Sequence, residues 1–413
     1  MIADEACVWV VGTFDTKAEE LCYLATLIKQ AGSPVFTVDI STRGAPSQAD
    51  MSATEVASYH ESGADHVLGG NDRGAAVIAM GQALRRLVSA RQQAGAISGL
   101  IGIGGSGGTS MIAPSLHVLP YGMPKLLVTT LASGTVTPFV DVYDVMLLNP
   151  VTDLAGLNRL SRMILANAAH AIAGMVTHVA AQRLDDKRPA LGLTMFGVTT
   201  ECVQAVSHRL DATYDCQVFH ANGMGGRTME ALARAGMLQA IVDVTTTEVG
   251  QHLVGGACDA GPDRLAAAAE LGLPWIGSVG ALDMINWGPR ETVPARFSHR
   301  LFHVHNAQVT LMRSTAQELD RAGEAIATRL NQSRGVVHLL LPMKGLSAID
   351  CPGQPFYDPE ANQALFSAID RHFVQTPTHR LEKLPLHINE PEFSKAIAKT
   401  VQDVLAVEHR HSR

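Results

Sequence analysis

A glycine-rich segment directly after an apolar run places the strongest constraint on the fold of this chain. Five of the seven residues from Gly102 to Gly108 are glycine, and residues 97–101 before them read as a strand. Glycine permits backbone conformations that other residues avoid, so successive N–H groups can turn towards one anion. Residues 109–116 read as a helix, whose N-terminus attracts negative charge. The pattern predicts a strand, an anion-binding turn and a helix within an α/β sheet.

The residues of this turn are the first candidate contacts for a ligand. They are Gly104, Gly105, Ser106, Gly107, Gly108, Thr109 and Ser110. Their spacing is close to that of a phosphate-binding loop, but Gly108 stands where such a loop has its lysine. We therefore expect an anion site without the fast hydrolysis of a Walker-type NTPase.

Length and patterning predict two α/β domains. The chain has 413 residues, which suits two domains of roughly 200 residues each. Near-continuous apolar strands alternate with helices in both halves, which is typical of parallel sheets covered on both faces. A charged stretch that ends in a proline, residues 183–189, marks the expected boundary, so the predicted domains are residues 1–185 and 189–413.

Composition and charge exclude several classes of protein. Hydrophobic residues make up 46% of the chain and charged residues 17%, which excludes a disordered protein. The net charge of −7, without a long basic block, argues against nucleic acid and anionic membranes as partners. No apolar run approaches the length of about 18 residues that a membrane span requires, and residues 1–5 lack the basic start of a signal peptide. Six scattered cysteines without a C-x-x-C pair are typical of reduced thiols, so we expect a cytoplasmic protein.

The ends of other predicted strands supply further candidate contacts in the first half. Ligands of open α/β sheets bind at the carboxyl ends of the strands. The candidates are Gly12, Thr13, Asp15, Thr16 and Lys17 after the first strand, Asp39 and Arg43 at the second, and Thr130, Ser133 and Gly134 beside the glycine turn. Lys17 would contact a phosphate and Asp39 a ribose hydroxyl. The alternative for Asp15 and Thr16 is that they only cap a helix.

The second half contains a second glycine turn. Residues 220–228 combine three glycines with an amide and a guanidinium, and the candidate contacts are Asn222, Gly225, Gly226 and Arg227. Arg227 would give bidentate contacts to a carboxylate or phosphate. Asp350, at the edge of a turn rich in proline and glycine, is a further candidate. The acidic and histidine residues 248, 252, 303 and 305 lack a third ligand at a fixed spacing, so no metal site is predicted.

Seven segments in order along the chain carry a family resemblance. They are residues 12–17 (GTFDTK), 39–44 (DISTRG), 104–109 (GGSGGT), 222–226 (NGMGG), 280–286 (GALDMIN), 305–306 (HN) and 350–361 (DCPGQPFYDPEA). Together they resemble the Tm-1-like ATP-binding family, an uncharacterised protein family of bacteria, fungi and plants, essentially from end to end. The resemblance implies two Rossmann-like three-layer domains, whose parallel sheets flank an interdomain cleft, together with nucleotide binding and a homodimer.

A plant member of that family inhibits the replication of a tobamovirus and carries an additional C-terminal TIM-barrel-like domain. The present chain ends at Arg413 without such a domain, so we do not expect the antiviral role here. The resemblance instead implies a metabolic role and a separately encoded TIM-barrel partner.

Three hypotheses of function remain open. In the first, ATP, with or without Mg²⁺, lies on the backbone of residues 104–110, and the second domain closes over it through Asn222, Arg227 and Asp350. In the second, the chain is a hydrolase or lyase that acts on a small anionic metabolite, such as a sugar acid or keto acid, with Asp15, His220 or Asp350 as acid or base. In the third, the protein is a non-catalytic partner whose nucleotide is structural.

Overall fold

The chain forms two compact α/β units, Met1–Asp185 and Asp186–Arg413. The structure, a computed structural model, describes residues 6–43, 46–179 and 186–411, without the side chains of residues 179 and 408–411. Each unit is built on an open parallel sheet. The predicted fold class, α/β with two Rossmann-like units, is thereby confirmed.

The sheet of the first unit has five parallel strands in the order β2-β1-β3-β4-β5. The strands are β1 (Cys7–Gly12), β2 (Val35–Asp39), β3 (Ile97–Gly104), β4 (Lys125–Thr129) and β5 (Met146–Leu148). The helices are α1 (Phe14–Gln30), α2 (Ala53–Ala57), α3 (Ala64–Leu68), α4 (Arg73–Gln93), α5 (Ser106–Leu116), α6 (Thr137–Val140) and α7 (Arg159–Val179). In this order the succession of strands reverses between β1 and β3, which is where doubly wound sheets bind their ligands.

Both faces of this sheet are buried, as the uninterrupted apolar strands predict. Val8 and Val10 of β1 pack in one cluster with α1 and α7, whereas Trp9 and Val11 pack in another with α4 and α5. The sheet therefore offers its strand ends, rather than its faces, to a ligand.

Two helices of the first unit begin inside turns that were expected to bind a ligand. Helix α5 begins at Ser106 rather than at residue 109, because Gly105 is extended and occupies the N-cap position. Helix α1 begins at Phe14, and a non-helical residue, Lys17 (φ −136°, ψ 26°), breaks its first turn from the rest. Most of the glycine turn thus belongs to the first turn of a helix.

The second unit contains a six-stranded parallel sheet in the order β14-β13-β9-β8-β6-β7. Its strands are β6 (Ala190–Met195), β7 (Asp215–His220), β8 (Ala240–Asp243), β9 (Trp275–Gly277), β13 (Val337–Pro342) and β14 (His379–Leu384). The helices are α8 (Thr200–Leu210), α9 (Met224–Arg234), α10 (Thr247–Val254), α11 (Ala266–Leu271), α12 (Ala316–Leu330), α13 (Pro359–His372) and α14 (Pro391–His411). Read from its other edge, this sheet begins β7-β6-β8-β9, which repeats the order β2-β1-β3-β4 of the first unit.

A small antiparallel sheet in the second unit was not predicted. It consists of β10 (Met284–Trp287), β11 (Phe302–Asn306) and β12 (Val309–Arg313), in the order β10-β12-β11. Along the chain, its three strands lie between β9 and β13 of the parallel sheet. His303 and His305 lie on β11 of this sheet.

Candidate functional site

A cavity of ≈ 530 Å³ lies in the first unit, at the carboxyl ends of β1 and β3. Its lining residues come from the turn after β1, the turn after β3, the segment after β2 and the start of α4. They are Thr13, Asp15, Thr16, Lys17, Thr42, Arg43, Gly70, Asn71, Arg73, Ala76, Val77, Gly105, Ser106, Gly107, Gly108 and Met111. The cavity is therefore located where the strand order reverses, at the position expected for a ligand.

The first turn of α5 contributes backbone N–H groups to this cavity. No side chain caps the helix, because its N-cap residue is Gly105. The N–H groups of a helix's first turn have no acceptor within the helix, and they attract an anion together with the helix dipole. A Cβ atom placed on Gly107 would meet nothing within 4 Å, so the turn is open on the side of the cavity.

A different glycine makes this turn possible. A Cβ atom on Gly104 would lie 2.6 Å from the backbone nitrogen of Thr109 and 2.8 Å from the carbonyl carbon of Gly108. Backbone atoms cannot move aside without shifting the helix, so only glycine fits at the end of β3. Gly104 shapes the turn without lining the cavity.

Two arginines give the cavity positive charge. Arg43 follows β2, and Arg73 is the first residue of α4. Both side chains are exposed. Lys17 also lines the cavity, but its Nζ donates a hydrogen bond to the carbonyl oxygen of Leu154. The ammonium of Lys17 is thus partly engaged in holding the segment that follows β5.

Asp39 shapes the cavity from behind and does not line it. Its side chain is fully buried, and Oδ1 accepts hydrogen bonds from the backbone N–H of Phe14 (3.1 Å) and from both the N–H (2.8 Å) and Oγ (2.5 Å) of Ser41. Ser41 Oγ lies in turn 3.1 Å from the N–H of Asp15. Asp39 therefore ties the turn after β1 to the end of β2, which is a positioning role. Its Oδ2 is buried without a hydrogen-bond partner.

The structure brings together many, but not all, of the predicted contacts of the first unit. Nine of them line the cavity: Thr13, Asp15, Thr16, Lys17, Arg43, Gly105, Ser106, Gly107 and Gly108. Gly12, Gly104, Asp39, Thr109, Ser110, Thr130, Ser133 and Gly134 are not among the lining residues. Thr109 is buried, with its Oγ1 2.6 Å from Oγ1 of Thr129, and the Ser110 hydroxyl donates to the carbonyl of Ser106. Thr130 lies behind Gly105, with its Oγ1 3.9 Å from a Cβ built there.

Residues at the start of α4 were missed by sequence reasoning. Gly70, Asn71 and Arg73 line the cavity, and Asp72 caps α4 by accepting from the N–H of Gly74 at 2.8 Å. A Gly-Gly-Asn-Asp turn ahead of a long helix was the available signal. It does not follow a strand directly, because α2 and α3 lie between β2 and α4. The rule that ligands bind after strands therefore did not select it.

The second glycine turn binds a carboxylate of the protein itself. The N–H groups of Gly223 and Gly226 donate to Oε1 of Glu248, at 2.7 Å and 3.1 Å. The expectation that Gly226 offers its amide to a ligand is therefore not met by this arrangement. Gly225 N lies 3.4 Å from Oδ1 of Asn222, and the exposed Arg227 reaches the sulfur of Met224.

Arg264 holds that internal carboxylate in place. Its Nε donates to Glu248 at 2.7 Å, and its two terminal nitrogens donate to Asp243 at 2.7 Å and 2.8 Å. Glu230 lies 3.3 Å from the same guanidinium, and all four side chains are buried. Burial raises the pKa of Glu230, against the opposing effect of Arg264. This network gives the glycines of the turn a structural role, because their N–H groups donate hydrogen bonds to a buried acid.

Asp350 is also buried, which corrects its predicted place at the edge of a cleft. Its Oδ2 accepts hydrogen bonds from the N–H of Leu346 (2.9 Å) and from Nδ2 of Asn362 (2.7 Å). Burial raises the pKa of its carboxyl group. Its neighbour Asp283 is equally buried.

The part of the chain that the structure describes contains neither a candidate metal site nor a helix that could span a membrane. In residues 6–43, 46–179 and 186–411, no three His, Cys, Asp or Glu side chains cluster as metal ligands would. Among the helices of the same residues, none combines the length and the apolar character of a membrane span. All six cysteines are free thiols.

Comparison with known proteins identifies relatives along the whole chain. Residues 6–181 match the model of the uncharacterised protein family UPF0261 N-terminal domain, and residues 188–405 match that of its C-terminal domain. A UPF0261 protein of Mesorhizobium japonicum is 52% identical, over 95% of this chain and 97% of that protein. A UPF0261 protein of Clostridium tetani is 39% identical, over 96% and 98%.

A longer relative comes from a plant. The ToMV resistance protein Tm-1(GCR237) of Solanum lycopersicum is 38% identical, over 96% of this chain but 55% of its own length. Among solved structures, a UDP-N-acetylglucosamine 2-epimerase from Rickettsia bellii aligns with 98% of the chain at 10% identity and a TM-score of 0.22, which is too weak to indicate a common fold. On the two domain matches and the sequence relatives, the chain belongs to the Tm-1-like UPF0261 family.

Proposed function

We propose that this protein binds ATP in the cavity of the first unit, with the phosphates on the first turn of α5. One observation carries the proposal: an uncapped, glycine-lined helix N-terminus and two arginines face a single cavity of ≈ 530 Å³ at the reversal of the strand order. That volume is within the roughly 300–1,000 Å³ of small-molecule sites. The chemistry of the lining suits a phosphate chain.

The lining also suits the remainder of a nucleotide. Ala76, Val77 and Met111 give the cavity an apolar wall between α4 and α5, against which a base can pack. Thr13, Thr16 and Asn71 supply neutral hydrogen-bonding groups. Asp15 is the acidic side chain of the lining, and it would repel a bare phosphate but would serve as an oxygen ligand of Mg²⁺ carried in with ATP.

We do not expect this site to hydrolyse ATP rapidly. The lining lacks the lysine of a phosphate-binding loop at residue 108, and Lys17 is partly engaged with Leu154. Phosphoryl transfer depends on cations that neutralise the developing charge. We propose that ATP is held as a ligand or regulator of a metabolic protein in the cytoplasm.

A substitution at Gly107 tests the site with little risk to the fold. Gly107→Asp places a carboxylate in the first turn of α5, where it favours the helix but repels phosphate. Gly107→Asn has the same size without the charge. By calorimetry, we expect the Asp variant to lose at least about tenfold in ATP affinity, or ~1.4 kcal/mol, and the Asn variant to lose much less. Equal ATP affinity in the wild type and the Asp variant would contradict the assignment.

A second candidate function is an enzyme that acts on a small anionic metabolite, such as a sugar acid or keto acid. The observation that favours it is the exposed carboxylate of Asp15 inside the cavity, beside groups that bind carboxylates as readily as phosphates. Thermal shifts separate the two candidates. Stabilisation by ATP alone supports the first, stabilisation by organic acids alone supports the second, and no shift by either contradicts both.

Assembly forms a further part of the proposal. We infer a homodimer and a separately encoded TIM-barrel partner from the family resemblance. The tomato relative extends beyond the matched part, which is 55% of its length. Light scattering of the purified chain tests the dimer, since a monomer at micromolar concentration would contradict it.

A further inference from the structure

A pair of buried aspartates in the second unit stands apart from the ATP proposal. Asp283 lies in the segment between β9 and β10, and Asp350 lies between β13 and α13. Both are 0% exposed. The loops that carry them follow neighbouring strands of the parallel sheet, and Ala281, two residues before Asp283, has a positive φ of 56°. The fold therefore holds two acidic side chains inside one strand-end cluster.

Each carboxyl group of this pair has one satisfied oxygen and one orphaned oxygen. Asp283 Oδ2 accepts from Oγ of Ser347 at 2.8 Å, and Asp350 Oδ2 accepts from Leu346 N and Asn362 Nδ2. Oδ1 of Asp283 and Oδ1 of Asp350 are both buried without a hydrogen-bond partner. An unsatisfied buried carboxylate oxygen costs free energy, so two at one place call for a physical explanation.

The nearby arginine supplies charge but no hydrogen bond to either orphan. Arg313 Nε donates to the carbonyl of Phe356 (2.7 Å), and one terminal nitrogen is 3.2 Å from the carbonyl of Asp283. The other donates to Oδ1 of Asn362 at 2.9 Å and remains 3.7 Å from Asp350 Oδ1. The guanidinium therefore contacts the backbone of Asp283 and lies beside the carboxyl group of Asp350. The three side chains are neutral in sum only when the two aspartates hold one proton.

The other titratable groups around the pair do not change this balance. Nδ1 of His387 accepts a hydrogen bond from the N–H of Asn389 at 3.2 Å, and its Nε2 lies 2.9 Å from the carbonyl oxygen of Ser347. Asp358 caps α13 by accepting from the N–H of Ala361 at 3.0 Å. His303 meets Phe356 edge to face, with ring centres 6.3 Å apart.

We propose that Asp283 and Asp350 share one proton at neutral pH and form a latch that releases the surrounding loops as the pH rises. The shared proton sits on one Oδ1 and is donated to the other, which satisfies both orphaned oxygens with a single hydrogen bond. When solvent base removes it, one uncompensated negative charge is left in the protein interior. Burying an unpaired charge is costly, so the loops open to hydrate it.

The electrostatics agree with this geometry. Burial, followed by the neighbouring charge of Asp350, raises the pKa of Asp283 to about 7. Because the folded pKa lies above that of the unfolded chain, the stability that the pair contributes is fully present below the unfolded pKa, near 4. It is lost as the pH rises through neutrality.

An amide in place of one carboxyl group tests the latch. In Asp283→Asn, the N–H₂ group acts as a permanent donor to Asp350 Oδ1, and the oxygen still accepts from Ser347. We expect the ratio of wild-type to variant unfolding constants to rise about tenfold or more between pH of about 5.5 and 8.5. A ratio that stays constant with pH would overturn the proposal.

The control is a buried aspartate with both oxygens satisfied. Asp243 accepts from Thr194 (2.6 Å) and from Arg264, so Asp243→Asn should destabilise the second unit without this pH-dependent ratio. A further readout follows the latch itself. Faster amide exchange at Leu346 in the wild type than in Asp283→Asn at alkaline pH supports loop release, and equal rates overturn it.

A measurement on the wild type alone keeps the test valid if a variant does not fold. The infrared carbonyl band of a protonated carboxyl group should be present in the full chain at pH of about 6 and lost near pH of about 9. Its absence at the lower pH would overturn the shared proton.

Discussion

The two units share one sheet topology but use the equivalent strand ends in opposite ways. In the first unit, β3 is followed by the glycines of α5 and an open cavity. In the second, the corresponding strand β8 is followed by Thr245, Thr246 and Thr247, which are 0% exposed. Thr245 Oγ1 lies 2.8 Å from Oγ1 of Thr199, and Thr246 donates to the carbonyl of Ser278. The strand order offers a place for a ligand, and the side chains after the strands decide whether it is open.

The two glycine turns extend the comparison. The N–H groups of the first face a cavity, and those of the second are taken by Glu248. Similar sequences therefore mark an external anion site in one unit and an internal one in the other. Substitutions can show this difference. Those in the first glycine turn should change the affinity for the ligand, and those around the second should change the stability of the fold.

The largest expected effect concerns the internal anion site. Arg264→Met removes the cation that faces Asp243, Glu248 and Glu230, and leaves buried carboxylates without compensation. Breaking a buried ion pair from one side costs about 3–5 kcal/mol. We expect urea unfolding to show a loss of this size, with unchanged ATP affinity in the folded fraction.

Arg371→Met is the matched control for Arg264→Met. Its side chain is exposed and pairs with Asp320, outside the buried network. An exposed pair contributes about 1 kcal/mol or less. If both arginine variants lose equal stability, the second glycine turn is not organised by a buried network.

An intermediate effect is expected at the end of β3. Gly104→Ala places a methyl group against the backbone of Thr109, and overpacking of this kind costs about 1–3 kcal/mol. Gly107→Ala projects its methyl group into open space and should leave the free energy of unfolding unchanged or slightly raised. Thermal unfolding of the two variants distinguishes them, and equal destabilisation would show that the turn is packed on both sides.

The smallest effect is expected from the cavity cations. Arg73→Gln removes one positive charge from the cavity lining without removing a hydrogen bond that the structure records for that side chain. We expect ATP to bind about fivefold more weakly, or ~1 kcal/mol, and AMP to be affected less, because fewer phosphate charges face the arginine. Calorimetry at two salt concentrations measures this, and an equal loss for both nucleotides would place Arg73 away from the phosphate chain.

Sequence reasoning located the parts of the site that are encoded locally. Thr13, Asp15 and the glycines 105–108 were found because each follows a strand, and parallel strands end at one edge of a sheet. The family and the α/β class were also found, since near-continuous apolar strands and ordered motifs are properties of the sequence itself.

The remainder depends on contacts between distant residues. Glu248 lies 22 residues from Gly226, and no local pattern indicates that it fills the turn. Asp39 resembles a ribose contact by its place after a strand, yet three donors from Phe14 and Ser41 draw its carboxylate into the protein interior. Lys125, at the start of β4, is likewise buried against an acid that is distant in sequence, because its Nζ donates to Asp144, 19 residues away, at 2.6 Å.

Amide resonances compare the two glycine turns most directly. Nitrogen–proton correlation spectra of the full chain, recorded with and without saturating ATP, report on each backbone N–H separately. We expect the resonances of Ser106, Gly107 and Gly108 to shift, and those of Gly223 and Gly226 to stay in place because Glu248 already occupies them. Unchanged resonances at Gly107 and Gly108, with or without shifts at Gly223, would contradict the assignment of the anion site to the first unit.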